Sequence, residues 1–392
     1  MLPLEGITVV SLEQAVAAPF ASRQLADLGA RVIKIERPGD GDFARGYDKT
    51  VNGMASYFVW INRSKESITL DLKKPEGKEI LSKLLEKADV FIQNLAPGAV
   101  DRLGFSPQEL QEKHPQLITC SISGYGKSGP YRDKKAYDLL IQCEAGLVSV
   151  TGTSETPSKA GISIADICAG MYAYSGILTA LYQREKTGKG TVLEISMLEA
   201  LAEWMGAPMY YAGYGGKEPS RTGASHATIY PYGPFPCGDG KKVFFGIQNE
   251  REWLRFCQEI LQKPELANDP RFNNNSNRFQ NQHMLQPIIE DVLSVLTAEV
   301  VIERLEKAQI ANARMNTVRE FFEHPQLKAR DRWRTVETPV GPIKALIPAA
   351  TMKGFEPVMN PIPKVGEHTE KILSELGYDT EKLSELRDEV II

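Results

Sequence analysis

One aspartate stands out for the chemistry its surroundings allow. Asp166 lies within Gly-Ile-Ser-Ile-Ala-Asp-Ile-Cys-Ala-Gly, residues 161–170, and no charged residue follows it from 167 to 183. An Asp in such a place is a good helix N-cap, because its carboxylate accepts bonds from the free amides of the first turn. The same group, favoured as an anion by the helix dipole and partly desolvated by apolar neighbours, can also act as a nucleophile. The two roles are compatible, and spacing does not choose between them. Tyr137 and Asp138 open the preceding helical segment, where they read as core packing plus a first-turn acid or as site residues. Arg37, Lys73 and Arg102 follow successive strand-like runs. That rim is where open α/β sheets bind ligands, although exposed cations are also ordinary solvated surface.

Other chemistries find little support. Gly124-x-Gly126-x-x-Gly129 has the spacing of a dinucleotide fingerprint, but Pro130 and Arg-Asp-Lys-Lys at 132–135 follow it. A pyrophosphate site needs a helix opening there and an acidic residue after the next strand, so a turn-rich loop fits better. There is no Walker A run, no Gly-x-Ser-x-Gly and no His-Glu-x-x-His. Nucleotide hydrolysis, a serine elbow and a zinc helix therefore lack their signatures. The five Cys and five His are scattered, with no Cys-x-x-Cys, so neither a metal site nor a disulfide framework is expected. The 46 Lys and Arg against 50 Asp and Glu leave a net charge of −4, which argues against a protein built mainly to hold nucleic acid.

Strands and helices must place these side chains. Apolar β-branched runs at 6–12, 31–36, 67–72, 89–94 and 117–122 alternate with helical stretches, one beginning after Pro19 and another at Pro75. That alternation predicts a parallel sheet with helices on its faces. Helices are expected at 137–149 and 166–185, then a strand at 191–196 leading into a helix that ends near 214. Gly and Pro at 213–220 mark a linker. Beyond it come a strand at 242–247 and helices at 250–261, 278–296 and 298–308. Strand-like residues 343–349 and short helices at 370–376 and 381–390 close the chain. Those last helices are too short and polar to bury a core alone, so they are expected to dock on the first domain. The expected layout is a large domain from 1–214 and 330–392 with a smaller α+β domain, 225–325, inserted between. The uncharged run 167–183 is shorter than the ~20 residues of a bilayer span and reads as a buried helix. The N-terminus lacks the basic and apolar regions of a signal peptide, which makes a cytoplasmic protein the expectation.

Several segments, in order, resemble one family. Leu4-Glu-Gly-Ile-Thr-Val-Val, residues 28–42 (Leu-Gly-Ala-Arg-Val-Ile-Lys-Ile-Glu-Arg-Pro-Gly-Asp-Gly-Asp) and 62–73 (Asn-Arg-Ser-Lys-Glu-Ser-Ile-Thr-Leu-Asp-Leu-Lys) are similar to family III CoA-transferases, the formyl-CoA and carnitine CoA-transferase type. So are 94–104, the Ser-Gly-Tyr-Gly-x-Ser-Gly-Pro run at 123–130, 184–190, and Gly366-Glu-His-Thr with Leu376-Gly377. The resemblance implies a Rossmann-like large domain built from both chain ends, a small middle domain, and two subunits interlocked as a homodimer. It implies that Asp166 is the nucleophile. It carries CoA contacts onto Val16, Ala17, Arg37, Leu70, Asp71, Leu72, Lys73, Asn94, Leu95, Arg102, Lys135, Ala136, Tyr137 and Asp138, and an acyl pocket onto Tyr57 and Tyr137. A few cations suffice for the phosphates of CoA, which agrees with the modest net charge.

The implied reaction moves CoA between carboxylic acids through an aspartyl anhydride and an aspartyl-CoA thioester, with acyl-CoA as substrate and neither metal nor permanent cofactor. Arg221 and His226, ahead of Tyr230-Pro-Tyr232, are candidates for a second carboxylate, which points to a short dicarboxylic acid and succinyl-CoA or another short acyl-CoA. They also read as linker surface. The formyl-CoA members carry consecutive glycines in a mobile loop, which this chain lacks. An α-methylacyl-CoA racemase shares the fold, but its relatives place His where this chain has Tyr137, and an ordinary Tyr is a weak base at neutral pH. A non-catalytic CoA-binding homologue is the alternative outside enzymes.

Overall fold

A computed structural model describes residues 2–392. Six strands form one parallel sheet: β1 (Thr8–Leu12), β2 (Arg31–Glu36), β3 (Lys65–Thr69), β4 (Val90–Gln93), β5 (Ile118–Ser123) and β6 (Val192–Ser196), in the order β3-β2-β1-β4-β5-β6. The order reverses between β1 and β4. Loops leaving their C-terminal ends therefore part to opposite sides and open a crevice, the general ligand position of such sheets. Valine and isoleucine in β1, β2 and β4 are buried, as expected for strands covered on both faces.

The helix Ala17–Asp27 follows β1, and Ile164–Thr187 packs along it. The two can come this close because residue 170 is Gly. A Cβ there would meet the Ala17 carbonyl oxygen at 2.7 Å and Phe20 Cδ1 at 3.0 Å. Ile164–Thr187 is apolar and long enough to cross a membrane by composition, yet its Ala165, Cys168, Ala169, Gly170, Ala173 and Ile177 are buried in the protein. Ile372, Leu373, Leu383 and Leu386 of the C-terminal helices join a core with Val10, Leu12, Ile33, Ile68 and Phe91. The short, polar helices thus gain the burial they cannot supply for themselves.

The chain divides into two compact units. The first comprises the chain up to Leu147, Ala160–Ala207 and Leu327–Ile392; the second comprises Val148–Lys159 and Pro208–Gln326. Residues 148–159 and 208–214, placed in the first domain by composition, fall in the second unit. The physical tie for 148–159 is Arg221, which donates to the carbonyl oxygens of Ser149 (3.3 Å), Thr153 (2.8 Å) and Ser154 (2.8 Å). The second unit has an antiparallel sheet of β7 (Tyr232–Pro236), β8 (Lys242–Gly246) and β9 (Asn312–Arg314). Phe235, Phe245, Trp253 and Phe256 fill its core.

Three local differences from the sequence reading have plain causes. β3 ends at Thr69 rather than 72, because the Asp71 amide turns to donate to the Ile391 carbonyl at 2.7 Å. The helix expected at 137–149 is broken into Asp138–Glu144 and Leu147–Val150 at Gly146, whose φ of +77° a helix cannot contain. The long helix begins at Ile164, two residues before Asp166.

Candidate active site

Asp166 is the third residue of its helix, and the N-cap is Ser163, whose side chain makes no capping bond. The expectation that Asp166 caps the helix is therefore corrected. Capping is done from outside by Asp138, the first residue of Asp138–Glu144. Its Oδ1 accepts the Ala165 amide at 2.8 Å and the Asp166 amide at 3.4 Å. Among the described residues no donor bonds the Asp166 carboxyl itself. Burial, then the neighbouring Asp138 charge, push it up to about 7. This also reverses the expected direction, since the helix dipole was expected to favour the anion. Desolvation and a nearby like charge outweigh a terminus whose amides already face a carboxylate.

An aromatic wall adjoins the site. Tyr57, in the helix Ser56–Ile61, has its Oη 3.4 Å from Ser163 Oγ. Its ring meets Tyr47 edge-on at 5.6 Å and Trp60 at 6.4 Å, and Tyr47 in turn meets Phe43 at 5.7 Å. Burial and the charges of Asp42 and Asp166 push the Tyr47 phenol up to about 12, so it remains a hydrogen-bond donor at neutral pH. Tyr137, the N-cap of Asp138–Glu144, is 68% exposed. Tyr47 was missed in the sequence, where it follows a glycine-rich turn and has no periodic pattern to mark it.

Beneath this wall lies a buried cluster of ions. Glu13 Oε1 accepts Lys65 Nζ at 2.6 Å and Lys34 Nζ at 3.3 Å, while Ser11 and Ser22 donate to its Oε2. Burial would raise Glu13, but Lys65 and Lys34 overcome that and hold it at about 2. Asp42 Oδ2 accepts Lys34 Nζ at 2.7 Å, and its Oδ1 takes the amides of Ala15 (3.1 Å) and Ala44 (2.9 Å). Ala15 sits at φ +59°, unusual for a residue with a Cβ, and the Asp42 bond holds it there. The cluster thus joins the loop after β1 to the turn that carries Phe43 and Tyr47. A lysine in the middle of an apolar strand, as at 34, was the available signal.

The proposed CoA contacts spread along the stretches that follow the first five strands. Arg37 follows β2 and is exposed, with the Gly41 carbonyl at 3.4 Å; Arg102 is exposed, with the Pro97 carbonyl at 3.4 Å. Neither makes an ion pair among the described residues, so both guanidinium groups are open to phosphate. Lys73 and Lys135 are exposed as well. Asn94, after β4, exchanges two 2.9 Å bonds with the Gln14 backbone, and the Leu95 amide donates to Gln93. Asp71 accepts the Lys73 amide at 3.0 Å, and Leu72 is half-buried beside it. Val16, Ala17 and Leu70 are each 2% exposed, buried beneath the loops that follow β1 and β3. Ala136 packs against Gly124, where a Cβ would overlap it at 2.2 Å.

In the second unit, Arg221 is occupied by its three carbonyls. His226 stacks on Tyr232 at 5.1 Å, and its Nδ1 accepts the amides of Thr228 and Ile229, both at 3.1 Å. Both side chains shape loops: the Arg221 guanidinium is turned onto backbone carbonyls, and His226 accepts through Nδ1, which leaves its Nε2–H outward as a donor. Among the described residues, no three His, Cys, Asp or Glu gather in a way that could hold a metal ion.

Known proteins resemble this chain in sequence and in fold. The sequence model described as CoA-transferase family III matches residues 4–369. The chain is 33% identical to the human succinyl-CoA:glutarate CoA-transferase over 98% of this chain and 88% of that protein. It is 36% identical to the acetyl-CoA:oxalate CoA-transferase of Acetobacter aceti, over 84% of this chain and 85% of that one. The crystal structure of a CAIB/BAIF family protein from Brucella suis superposes with a TM-score of 0.84, at 33% identity, covering 96% of this chain and 99% of that one.

Proposed function

Because this chain belongs to CoA-transferase family III, we propose that it transfers CoA from a short acyl-CoA such as succinyl-CoA to a small dicarboxylic acid, with Asp166 as the nucleophile. The observation that carries this reading is the unbonded, half-buried Asp166 carboxyl at the foot of an apolar helix, flanked by the Tyr47–Tyr57 wall. Relatives named for glutarate and oxalate transfer support a dicarboxylic acceptor.

An Asp166 oxygen attacks the thioester carbonyl, the carbon–sulfur bond breaks, and CoA leaves as thiolate, giving an aspartyl–acyl anhydride. The thiolate then attacks the aspartyl carbonyl and expels the donor acid as carboxylate, forming an aspartyl-CoA thioester. An acceptor carboxylate attacks that carbonyl and displaces thiolate, which returns to the acceptor's carbonyl and frees Asp166. Each intermediate keeps the acyl group activated, so the exchange proceeds without an outside energy source. The oxyanion at each step calls for fixed donors. The Tyr47 phenol is suited to that role or to holding the acceptor's second carboxylate, since the Arg221 guanidinium is engaged by backbone carbonyls. Arg37 and Arg102, with Lys73 and Lys135, would neutralise the phosphates of CoA. The catalytic species is an interlocked homodimer.

The test is intact-protein mass spectrometry after incubation with succinyl-CoA, followed by peptide mapping of a borohydride-reduced sample. A CoA adduct on the wild type and modification confined to Asp166 are expected, together with faster exchange into C4–C6 diacids than into monoacids. An Asp166→Ala variant that still exchanges acyl groups would falsify the assignment. A monoacid preference would overturn the acceptor class alone.

A further inference from the structure

We propose that Asp138 is a positioning residue for the transfer reaction: locked by Gln142, it fixes the backbone that presents Asp166 and sets its own carboxylate beside the Asp166 carboxyl. This deepens the function proposed above and rests on Asp166 being the nucleophile.

Gln142 is fully buried one turn along the Asp138–Glu144 helix. Its Nε2 donates to Asp138 Oδ2 at 2.7 Å, and its Oε1 accepts the Ala160 amide at 2.9 Å. Gln142 therefore ties Asp138 to the strand of chain that leads into Ser163. The other oxygen of Asp138 holds the first-turn amides of Ala165 and Asp166. Both Asp138 oxygens are thus engaged by protein donors. That arrangement suits a fixed support better than a contact for CoA, the role carried over to Asp138 by family resemblance.

The chemical consequence follows from what faces Asp166. Nucleophilic carboxylates lose reactivity when Arg or Lys shares their lone pairs. Asp166 faces Asp138 instead, and keeps its electron density on the oxygens. Tyr47 is the phenol next to Asp166, with Tyr57 and Tyr137 around it. Cys168 lies on the helix interior, its thiol pushed up to about 12 by burial and by Asp138. Asp138 is the charged group acting on the nucleophile.

Asp138→Asn keeps an oxygen for the Ala165 amide and removes the charge; Gln142→Leu keeps the charge and releases its orientation. The measurement is kcat/KM against pH for CoA transfer by the full-length enzyme, with KM for the acyl-CoA taken at each pH. For Asp138→Asn, the acid limb should move down by about one pH unit. Its kcat at neutral pH should fall about tenfold or more, with KM changed less than about twofold. Gln142→Leu should lower kcat in the same way, even should Asp138→Asn fail to fold. A raised KM with an unmoved acid limb would make Asp138 a CoA ligand and overturn the proposal. So would wild-type kcat in Gln142→Leu. In either case, a CoA adduct on wild-type Asp166 would leave the nucleophile assignment standing, while its absence would remove the function itself.

Discussion

Asp166 carries a cost that its chemistry explains. Its carboxyl titrates at about 7, above the ordinary 3.8, so the folded protein binds this proton more tightly than the unfolded chain does. The stability linked to that proton is fully present below the unfolded value and is lost as pH rises through about 7. Above that pH the fold holds a half-buried anion beside a second carboxylate. Asp166→Asn removes the anion and should abolish transfer while raising the midpoint of thermal unfolding at pH 8, with the gain shrinking towards pH 4. Calorimetry across that range checks it. An equal or lower midpoint at pH 8 would show that the site bears no such strain. Loss of function accompanied by a gain of stability is the expected mark of a residue kept for reactivity rather than for folding. Tyr47 shows the opposite economy: its phenol is driven away from ionisation, and it stays a donor over the working range.

At the scale of elements, two helices and a glycine decide where the nucleophile stands. Gly170 is one turn beyond Asp166 on the same helix face, and its missing Cβ lets Ile164–Thr187 approach the Ala17 carbonyl at the start of Ala17–Asp27. Gly170→Ala would have to push the helices apart. The cost should be about 1–3 kcal/mol by analogy with other overpacked cores, and kcat should drop with it because Asp166 moves. Gly176→Ala is the control: its Cβ would meet Leu193 Cδ1 at an ordinary 3.7 Å. It should be neutral or stabilise the helix by up to about 1 kcal/mol. Urea titration of both variants, with activity, separates the cases. Similar effects from the two substitutions would refute the close-approach argument. The Glu13–Lys34–Asp42–Lys65 cluster works at this scale too, since it ties the loop after β1 to the middle of β2, the start of β3 and the turn at Asp42. Removing one partner would leave the others buried and unpaired.

For the whole molecule, the exposed apolar surface bears on the proposed homodimer. Tyr182 is 64% and Met171 37% exposed on the long helix, and Met209, Tyr210 and Tyr214 are 53%, 62% and 87% exposed on Gly206–Gly215. Large apolar side chains left exposed on each of these helices mark surfaces that a partner covers. Analytical ultracentrifugation should therefore find a species of twice the 43.5 kDa chain mass. Tyr214→Glu with Tyr210→Glu should weaken it. A stable species at the chain mass under working concentrations would sink the dimer.

Much of this protein was legible in its residues taken in order. Apolar β-branched runs alternating with helical stretches determined the parallel α/β sheet, because periodicity and turn chemistry are local properties. The run of motifs determined the family, and the polar foot of an uncharged helix singled out Asp166. Tertiary structure alone decided what that aspartate experiences. Asp138 lies 28 positions earlier in the chain and plays the capping part expected of Asp166, on the amides of Ala165 and Asp166. Arg221 could be read as a ligand until its carbonyl partners were placed, nearly seventy positions away. Charge, capping and proton affinity depend on distances of a few ångströms between segments far apart in the chain, and local sequence pattern does not encode those distances.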